Sequence, residues 1–441
     1  MDVSVENPGG LSRRMTVTIP AEQIASAVEA KVRRVGRHAK IPGFRPGKVP
    51  MKVLYQRYGE RARQEAAGEL IQEVYPEALE QAELSPAGQP QLDVGDVKTN
   101  EPLEFVASFE VYPDIALQGL DDISVEKPQV EVTEADIDAT VERIREQHKT
   151  FETVERESRD GDQVVVDYVG RIDGEAFEGG SGDDIEVTLG DERFLPDLER
   201  ALVGRSAAEQ FQTEVAFPDD YGASEVAGKT ATFDVTVKQV SAPMLPELDE
   251  DFLQQMGIEE GGVESFRDKV RESLEKESAN AVETRIKTQV MDALHEANPL
   301  DVPQALVEQE IDRMRKESMA RMPEQAQNDE ELARQLLPDE ALRDNAQRRV
   351  ALGLLINEVI SERGIELDNE RLEAKMDEVA ADYGDQAEAV KQYYRSNPQL
   401  MQGMQAMVME EQVVDMLLEN ATVTEKQVDL ETLLNPDAQD A

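Results

Sequence analysis

Residues 41 to 50 read Ile41-Pro42-Gly43-Phe44-Arg45-Pro46-Gly47-Lys48-Val49-Pro50, with three prolines and two glycines in ten positions. Helical apolar spacing lies on both sides: Ile24, Val28, Val32 and Val35 before the stretch, and Leu54, Tyr58, Ala62, Ala66, Leu70 and Val74 after it. The stretch is therefore a helix-to-helix loop, stiffened by proline and shaped by glycine, which puts Phe44 at a tip flanked by Arg45 and Lys48. An aromatic anchor among fixed cations suits contact with protein or RNA. The same residues also fit Phe44 folded back as a core plug, with the prolines only capping helices.

Charge sharpens the question. From Lys31 to Arg63 there are eleven basic residues and one acid, Glu60, in a chain that carries 94 Asp and Glu against 46 Lys and Arg, a net charge of -48. Such a polyanion repels DNA and anionic membranes, because phosphate binding requires Lys and Arg to displace counterions. The basic segment reads either as a local docking face or as a solvated helix face.

The length of 441 residues implies roughly two to four domains. With no Cys there is no disulfide framework, thiolate nucleophile or Cys-ligated zinc. His38, His148 and His295 fall in three separate segments, and neither an HExxH motif nor a Gly-rich phosphate loop occurs, so neither a metal nor a cofactor is expected. The N-terminus lacks a basic, then apolar, leader, and no apolar run approaches membrane-spanning length, which points to a cytoplasmic protein.

Outward from the loop, Met15 to Ile19 alternates like a strand, as do Leu103, Phe105, Ala107, Phe109 and Val111 after Gln91 to Val94. Strand, helix, helix and hairpin make an α+β domain over residues 1–112. Residues 113–149 form a connector: Pro128 argues for an edge or bend, and Thr133 with Asp136 for a capping box. Residues 150–243 turn to short alternating strands, with an Asp173-Gly174 hairpin signal and six of the eleven Phe. Residues 244–441 read as helical, with stripes at Val282, Ile286, Val290, Leu294 and at Leu342, Ala346, Val350, Leu354. The fold class is α+β multidomain: an α+β N-terminal domain, a small antiparallel β-rich domain and an all-α C-terminal body.

Two resemblances attach to these segments. Gly43 to Pro50 looks like the signature loop of bacterial trigger factor, which implies docking on the large ribosomal subunit beside the tunnel exit. Carried over by position, Phe44, Arg45 and Lys48 make the contacts while Gly43 and Gly47 set the turn; some members place another basic residue where this chain has Pro46. Gly161-Asp162, Val166 to Gly170, Asp173 to Gly180, Leu189-Gly190, Phe194 to Pro196, Phe217 to Gly222 and Ala231 to Phe233 resemble the FK506-binding-protein (FKBP) family of prolyl isomerases. That resemblance implies a pocket of Tyr168, Phe177, Ile185, Phe194, Leu195, Tyr221 and Phe233, with Glu178 at a position often given to Asp. Leu198 falls where the pocket floor usually has Trp or Phe, and Asp197 replaces the usual Gly. Without the family pattern, these aromatic residues read first as the core of a small β domain.

Twelve of fifteen methionines lie between Met244 and Met416, with Met401, Met404 and Met407 at threefold spacing. Flexible thioethers adapt to many apolar partners, and they also serve plain helix packing. In trigger factor the matching region forms helical arms that, with the first domain, make a cradle for unfolded chains. The sequence thus leads to an expected ribosome-associated chaperone that holds nascent and unfolded polypeptides and isomerises X-Pro bonds; the family also allows a homodimer off the ribosome. The competing readings are a free prolyl isomerase acting on folded proteins, and a helical scaffold with an inert β domain.

Overall fold

Alternation in two sequence runs produces the first sheet. The computed structural model describes residues 1–39, 41–42, 44, 48–98, 101–191, 195–217, 226–322, 329–381 and 383–435. The chain divides into two units, residues 1–127 with 284–426 and residues 128–283 with 427–441.

The first unit opens with β1 (Asp2–Gly9), β2 (Ser12–Ile19), α1 (Ala21–His38), α2 (Met51–Ala82), β3 (Gln91–Val94) and β4 (Leu103–Glu110). The strands form an antiparallel sheet in the order β1-β2-β4-β3. Met15, Val17 and Ile19 of β2 and Leu103, Phe105 and Ala107 of β4 are fully buried on one face, where Ile24, Val28 and Val32 of α1 and Leu54, Ala66 and Ile71 of α2 cover them. The helices open after Pro20 and Pro50, whose fixed φ suits a helix start. They approach closely beside the loop: a Cβ on Gly36 would lie 2.5 Å from Leu54 Cδ1. The edge strand β1 is additional to the strands read from sequence. With Val3 and Val5 as its main apolar residues, it carries too weak an alternation to announce itself.

Next come β5 (Ser124–Gln129), α3 (Glu134–Gln147), β6 (Thr150–Thr153), β7 (Gln163–Ile172), β8 (Glu175–Thr188), α4 (Pro196–Leu202), β9 (Gln210–Ala216), β10 (Thr230–Met244), α5 (Glu250–Gln255) and α6 (Gly262–Ala297). Thr133 and Asp136 close the capping box: Thr133 N donates to Asp136 Oδ2 at 2.8 Å and Asp136 N to Thr133 Oγ1 at 3.4 Å. The second sheet runs β6-β10-β7-β8, with β9 also pairing β10, all antiparallel. Asp173 and Gly174 both take positive φ, 54° and 89°, as a tight β7-β8 turn requires. A smaller core gathers Ile137, Val141, Phe252, Phe266 and Leu274 beneath Leu430.

The chain continues with α7 (Gln304–Met319), α8 (Glu330–Leu336), α9 (Asp339–Arg363), α10 (Asn369–Ala381), α11 (Ala387–Ser396), α12 (Pro398–Asn420), β11 (Thr422–Gln427) and α13 (Leu430–Leu434). The strand β11 interrupts a stretch read as wholly helical: it opens on the β-branched run Thr422-Val423-Thr424 and pairs with β5. Along α9 the buried stripe is Leu342, Ala346, Ala351, Leu355 and Val359 rather than a strict fourth-residue repeat through Val350 and Leu354. Four residues advance 400°, so the apolar face drifts and burial steps over by one residue. Among the described residues no helix is long and apolar enough to cross a membrane.

Within the first unit, N-terminal and C-terminal segments are tied by polar contacts. Asn298 is buried; its Nδ2 donates to Gln118 O and Leu294 O, and its Oδ1 accepts from Gln118 N. Glu110 on β4 accepts from Gln304 N at 2.5 Å and Ala305 N at 3.4 Å, so a carboxylate distant in sequence caps α7, whose own N-cap is Pro303. Replacing a helix cap costs about 1 kcal/mol. Glu110→Ala should lower the unfolding free energy by about that amount, read as a shift in the urea midpoint at unchanged slope; an unmoved midpoint would show that the contact adds nothing.

Candidate functional site

The loop expected between α1 and α2 starts at a buried anchor. Ile41 packs into the first core, Phe44 N donates to Ile41 O at 3.1 Å, and Phe44 itself is 40% exposed. Lys48 is exposed. Gly43, Arg45 and Gly47 lie outside the described residues.

The cations of this hairpin fall into two groups. Lys31, buried in α1, pairs with Glu69 at 2.6 Å and Glu65 at 3.4 Å on α2. Arg33 pairs with Glu29, Arg34 reaches Glu69 at 4.0 Å, and Arg61 meets Glu65 at 2.8 Å. Hydrogen bonds from Arg61, and then from Lys31, hold the Glu65 carboxyl below its usual range. Arg37, Lys48, Lys52 and Arg57 make no ion pair among the described residues. These four sit in the last turn of α1, in the loop and in the first two turns of α2. Net positive charge therefore collects at the end that presents Phe44.

The aromatic residues of the second sheet meet around Phe233 of β10, which is buried. Its ring centroid lies 5.7 Å from Tyr168, 6.3 Å from Phe177 and 6.5 Å from Phe217, and Phe177 meets Phe217 edge-on at 6.1 Å. Tyr168, Phe177, Ile185 and Leu195 are half-buried against this core, while Leu198 on α4 is fully buried within it. Phe194 and Tyr221 lie outside the described residues, as does the side chain of Glu178. The β7-β8 register shifts on both sides of Tyr168, and such bulges re-aim a side chain out of the regular ladder.

Sequence reading passed over what makes room for the rings. A Cβ on Gly170 would lie 2.8 Å from the Phe233 ring, one on Gly180 2.7 Å from the Phe177 ring, and one on Gly182 3.0 Å from the Tyr168 ring. Gly170 and Gly180 were legible only as spacers in the motif, and Gly182 falls outside it. Phe217, also quoted within it, joins the cluster. Outside the ring cluster, Lys238 bridges Asp167 at 2.8 Å and Asp184 at 2.7 Å; its hydrogen bond lowers the Asp167 pKa and the two carboxylates raise its own.

Asp162 at the start of β7 is 1% exposed and receives three donors: Arg156 Nη1 at 2.5 Å, Arg156 Nη2 at 2.9 Å and Arg159 N at 2.8 Å. Burial alone would raise its pKa, yet the Arg156 fork and the Arg159 N–H hold the carboxyl below its ordinary value.

Comparison with known proteins bears on each part. A family model described as bacterial trigger factor protein matches residues 1–144, one described as the bacterial trigger factor C-terminus matches residues 262–419, and an FKBP-type peptidyl-prolyl cis-trans isomerase model matches residues 154–238. Trigger factor of Thioalkalivibrio sulfidiphilus is 44% identical over 99% of this chain and 98% of that relative. Trigger factor of Halorhodospira halophila is also 44% identical, over 99% of this chain and 98% of its own. A solved trigger factor chaperone aligns at 21% identity and a TM-score of 0.47, covering 95% of this chain and 99% of that one.

The Asp162 pair has a pH signature. A carboxylate whose folded pKa is depressed stabilises fully above its unfolded pKa, and that stability is lost as pH falls through the folded value. Asp162→Asn should cost about 1.5–3 kcal/mol near neutrality. The gap between variant and wild type should close below about pH 4, followed by denaturant melts across pH; a pH-independent gap would assign the loss to packing instead.

Proposed function

The chain belongs to the bacterial trigger factor family and is a ribosome-associated chaperone with an FKBP-type prolyl isomerase domain; from this premise we propose that the loop between α1 and α2 parks it beside the tunnel exit of the large subunit. The observation that carries the proposal is the exposed Phe44 of a loop whose flanks hold four cations, Arg37, Lys48, Lys52 and Arg57, that make no ion pair among the described residues. An aromatic anchor supplies desolvated contact area, and unpaired cations displace counterions from ribosomal phosphate. On this reading Phe44, Arg45 and Lys48 make contact, and Gly43 with Gly47 gives the loop its turn. The chain works as a docking segment 1–112, a connector 113–149, an isomerase segment 150–243 and a helical chaperone body 244–441. Off the ribosome it forms a homodimer, and its compartment is the cytoplasm.

Rotation about an X-Pro amide breaks resonance and faces a barrier of about 18–20 kcal/mol. No nucleophile is needed. A twisted amide has less charge separation than a planar one, so a dry aromatic pocket that replaces water favours it over the ground state. Tyr168, Phe177, Ile185, Phe194, Leu195, Tyr221 and Phe233 are the proposed walls, with Leu198 beneath them and Glu178 at the rim. A buried Leu198 offers a smaller platform than an indole, which predicts measurable but modest catalysis.

Two experiments separate docking from catalysis. Wild type should pellet with ribosomes in a salt-sensitive manner, whereas a Phe44→Ala, Arg45→Ala, Lys48→Ala triple variant should stay in the supernatant; equal pelleting of both sinks the docking assignment. In a proline-limited refolding assay, Phe177→Ala should slow catalysis by about tenfold or more, a loss of about 1.4 kcal/mol in transition-state stabilisation, while pelleting as wild type. No acceleration by wild type itself would remove the isomerase reading.

A further inference from the structure

The second sheet breaks its regular register twice at one level. Between Val237 and Gln239 of β10 the pairing with β7 shifts, which makes Lys238 an extra residue on that strand. Between Val166 and Tyr168 of β7 the pairing with β8 shifts, so that Asp183 and Asp184 of β8 stand opposite Asp167 alone. Burial marks the same two places: Lys238-Gln239 and Asp183-Asp184 are consecutive exposed residues where strand alternation would turn one of each two inward.

A bulge bends its strand and strengthens the local twist, which re-aims side chains. These two flank β7 on either side, and their polar groups meet. Lys238 Nζ donates to Asp167 Oδ1 at 2.8 Å and to Asp184 Oδ1 at 2.7 Å, and Asp184 N donates to the same Asp167 oxygen at 2.8 Å. One ammonium thus ties the bulge of β10 to the bulge of β8 across the strand between them.

Stability does not account for this arrangement. The side chains of Lys238, Asp167 and Asp184 are 38%, 30% and 73% exposed, and ion pairs so open to water contribute little. Asp184 even adds a cost, since its φ of 55° lies in the left-handed region that glycine occupies freely. A carboxylate is kept where glycine would suit the backbone better, which points to a use for the carboxylate.

That use lies on the other face of β7. Alternation turns Val166 and Tyr168 inward where Asp167 turns outward. Gly182 pairs with Tyr168, and a Cβ on it would lie 2.7 Å from Ile185 Cγ1 and 3.0 Å from the Tyr168 ring. Tyr168 and Ile185 therefore converge over Gly182. Without the shift, the register that pairs Val166 with Ile185 would set Asp183 opposite Tyr168 in place of this glycine. The bulge is what brings the two side chains together.

We propose that Asp167, Lys238 and Asp184 form a clamp that positions Tyr168 and Ile185 for prolyl isomerisation. The proposal rests on the reading of those two residues as pocket walls. All three members are positioning residues: they act through the backbone of the bulge and preorganise the walls before substrate arrives. With the ammonium removed, two neighbouring carboxylates repel each other and drive the bulge of β8 open.

The test uses the full-length protein and a short peptide with one X-Pro bond. Lys238→Met should lower kcat/KM about tenfold, and Lys238→Arg, which returns a cationic donor, should bring it to within about twofold of wild type. Asp184→Gly separates positioning from stability. With its backbone strain relieved it should melt no lower than wild type, yet lose about tenfold in kcat/KM. A nuclear Overhauser contact between the Tyr168 ring and the Ile185 methyls should weaken in Lys238→Met and Asp184→Gly and return in Lys238→Arg. Values of kcat/KM within about twofold of wild type for both Lys238→Met and Asp184→Gly would overturn the proposal. So would a loss in Lys238→Met that Lys238→Arg fails to restore while the Tyr168 to Ile185 contact stays intact. Should Lys238→Met not fold, Asp184→Gly still decides. Phe177→Ala serves as the control: wild-type activity in that variant removes the pocket reading itself, whereas a slow Phe177→Ala beside fully active clamp variants removes only the clamp.

Discussion

Lys31 lies buried between Glu65 and Glu69, and that contact sorts the basic hairpin into an inner, neutralised half and an outer, charged one. From Ala30 to Gly59 the sequence contains no acid at all. Lys31, Arg33, Arg34 and Arg61 find partners in Glu29, Glu65 and Glu69, whereas Arg37, Lys48, Lys52 and Arg57, nearer the loop, make no ion pair among the described residues. A buried ammonium stripped of both carboxylates would be left uncompensated, so the two ion pairs also fix how α1 lies on α2. Gly36 against Leu54 lets the two helices approach at the loop end. Packing and charge thus act together: the core holds Ile41, Ile41 accepts from Phe44 N, and Phe44 is left exposed. In a molecule with a charge of -48, that basic end offers a phosphate-rich surface a favourable approach, and screening by salt weakens the attraction and the surrounding repulsion together.

Much of the fold was legible because local chemistry and tertiary environment agree. The Thr133 capping box and the Asp173-Gly174 turn are short-range signals that the structure uses as written, and the stripes of α1 and α2 hold in the main, with burial along α2 shifting from Tyr58 and Leu70 to Gly59 and Ile71. The strand β1 was missed because nearly all its side chains face solvent, leaving little alternation to detect. β11 was missed for a similar reason: its six residues are all exposed, and its strand character comes from pairing with β5, some three hundred residues earlier. The drift along α9 follows from helix geometry and was in principle foreseeable.

The ring cluster was legible in a different sense. Tyr168, Phe177 and Phe233 were singled out by family offsets, since aromatic residues in a β domain look the same whether they form a core or a site. Their rings do form part of one core. What the sequence could not convey is that Gly170, Gly180 and Gly182 each make way for a different ring. A glycine requirement that comes from a neighbour's bulk rather than from its own φ is a tertiary fact, and no local pattern carries it.

The order of segments constrains how this protein itself can fold. The first core draws on residues from Val3 to Val111, so the first sheet and its two helices can form as soon as that length is available. The ties that complete the first unit span far more chain: Asn298 reaches back 180 residues to Gln118, and Gln304 reaches back 194 to Glu110. Closing such loops costs entropy that grows only slowly with length, but nothing rewards it until the distant partner exists. Residues 128–283, a separate unit with two cores of their own, can complete most of their contacts before the chain returns with Leu430 and Leu434. An inserted domain that folds early shortens the effective distance between Gln118 and Asn298, because a folded unit spans far less than an unfolded chain of equal length. Long-range assembly is in this way made tolerable by autonomous folding of the part inserted within it.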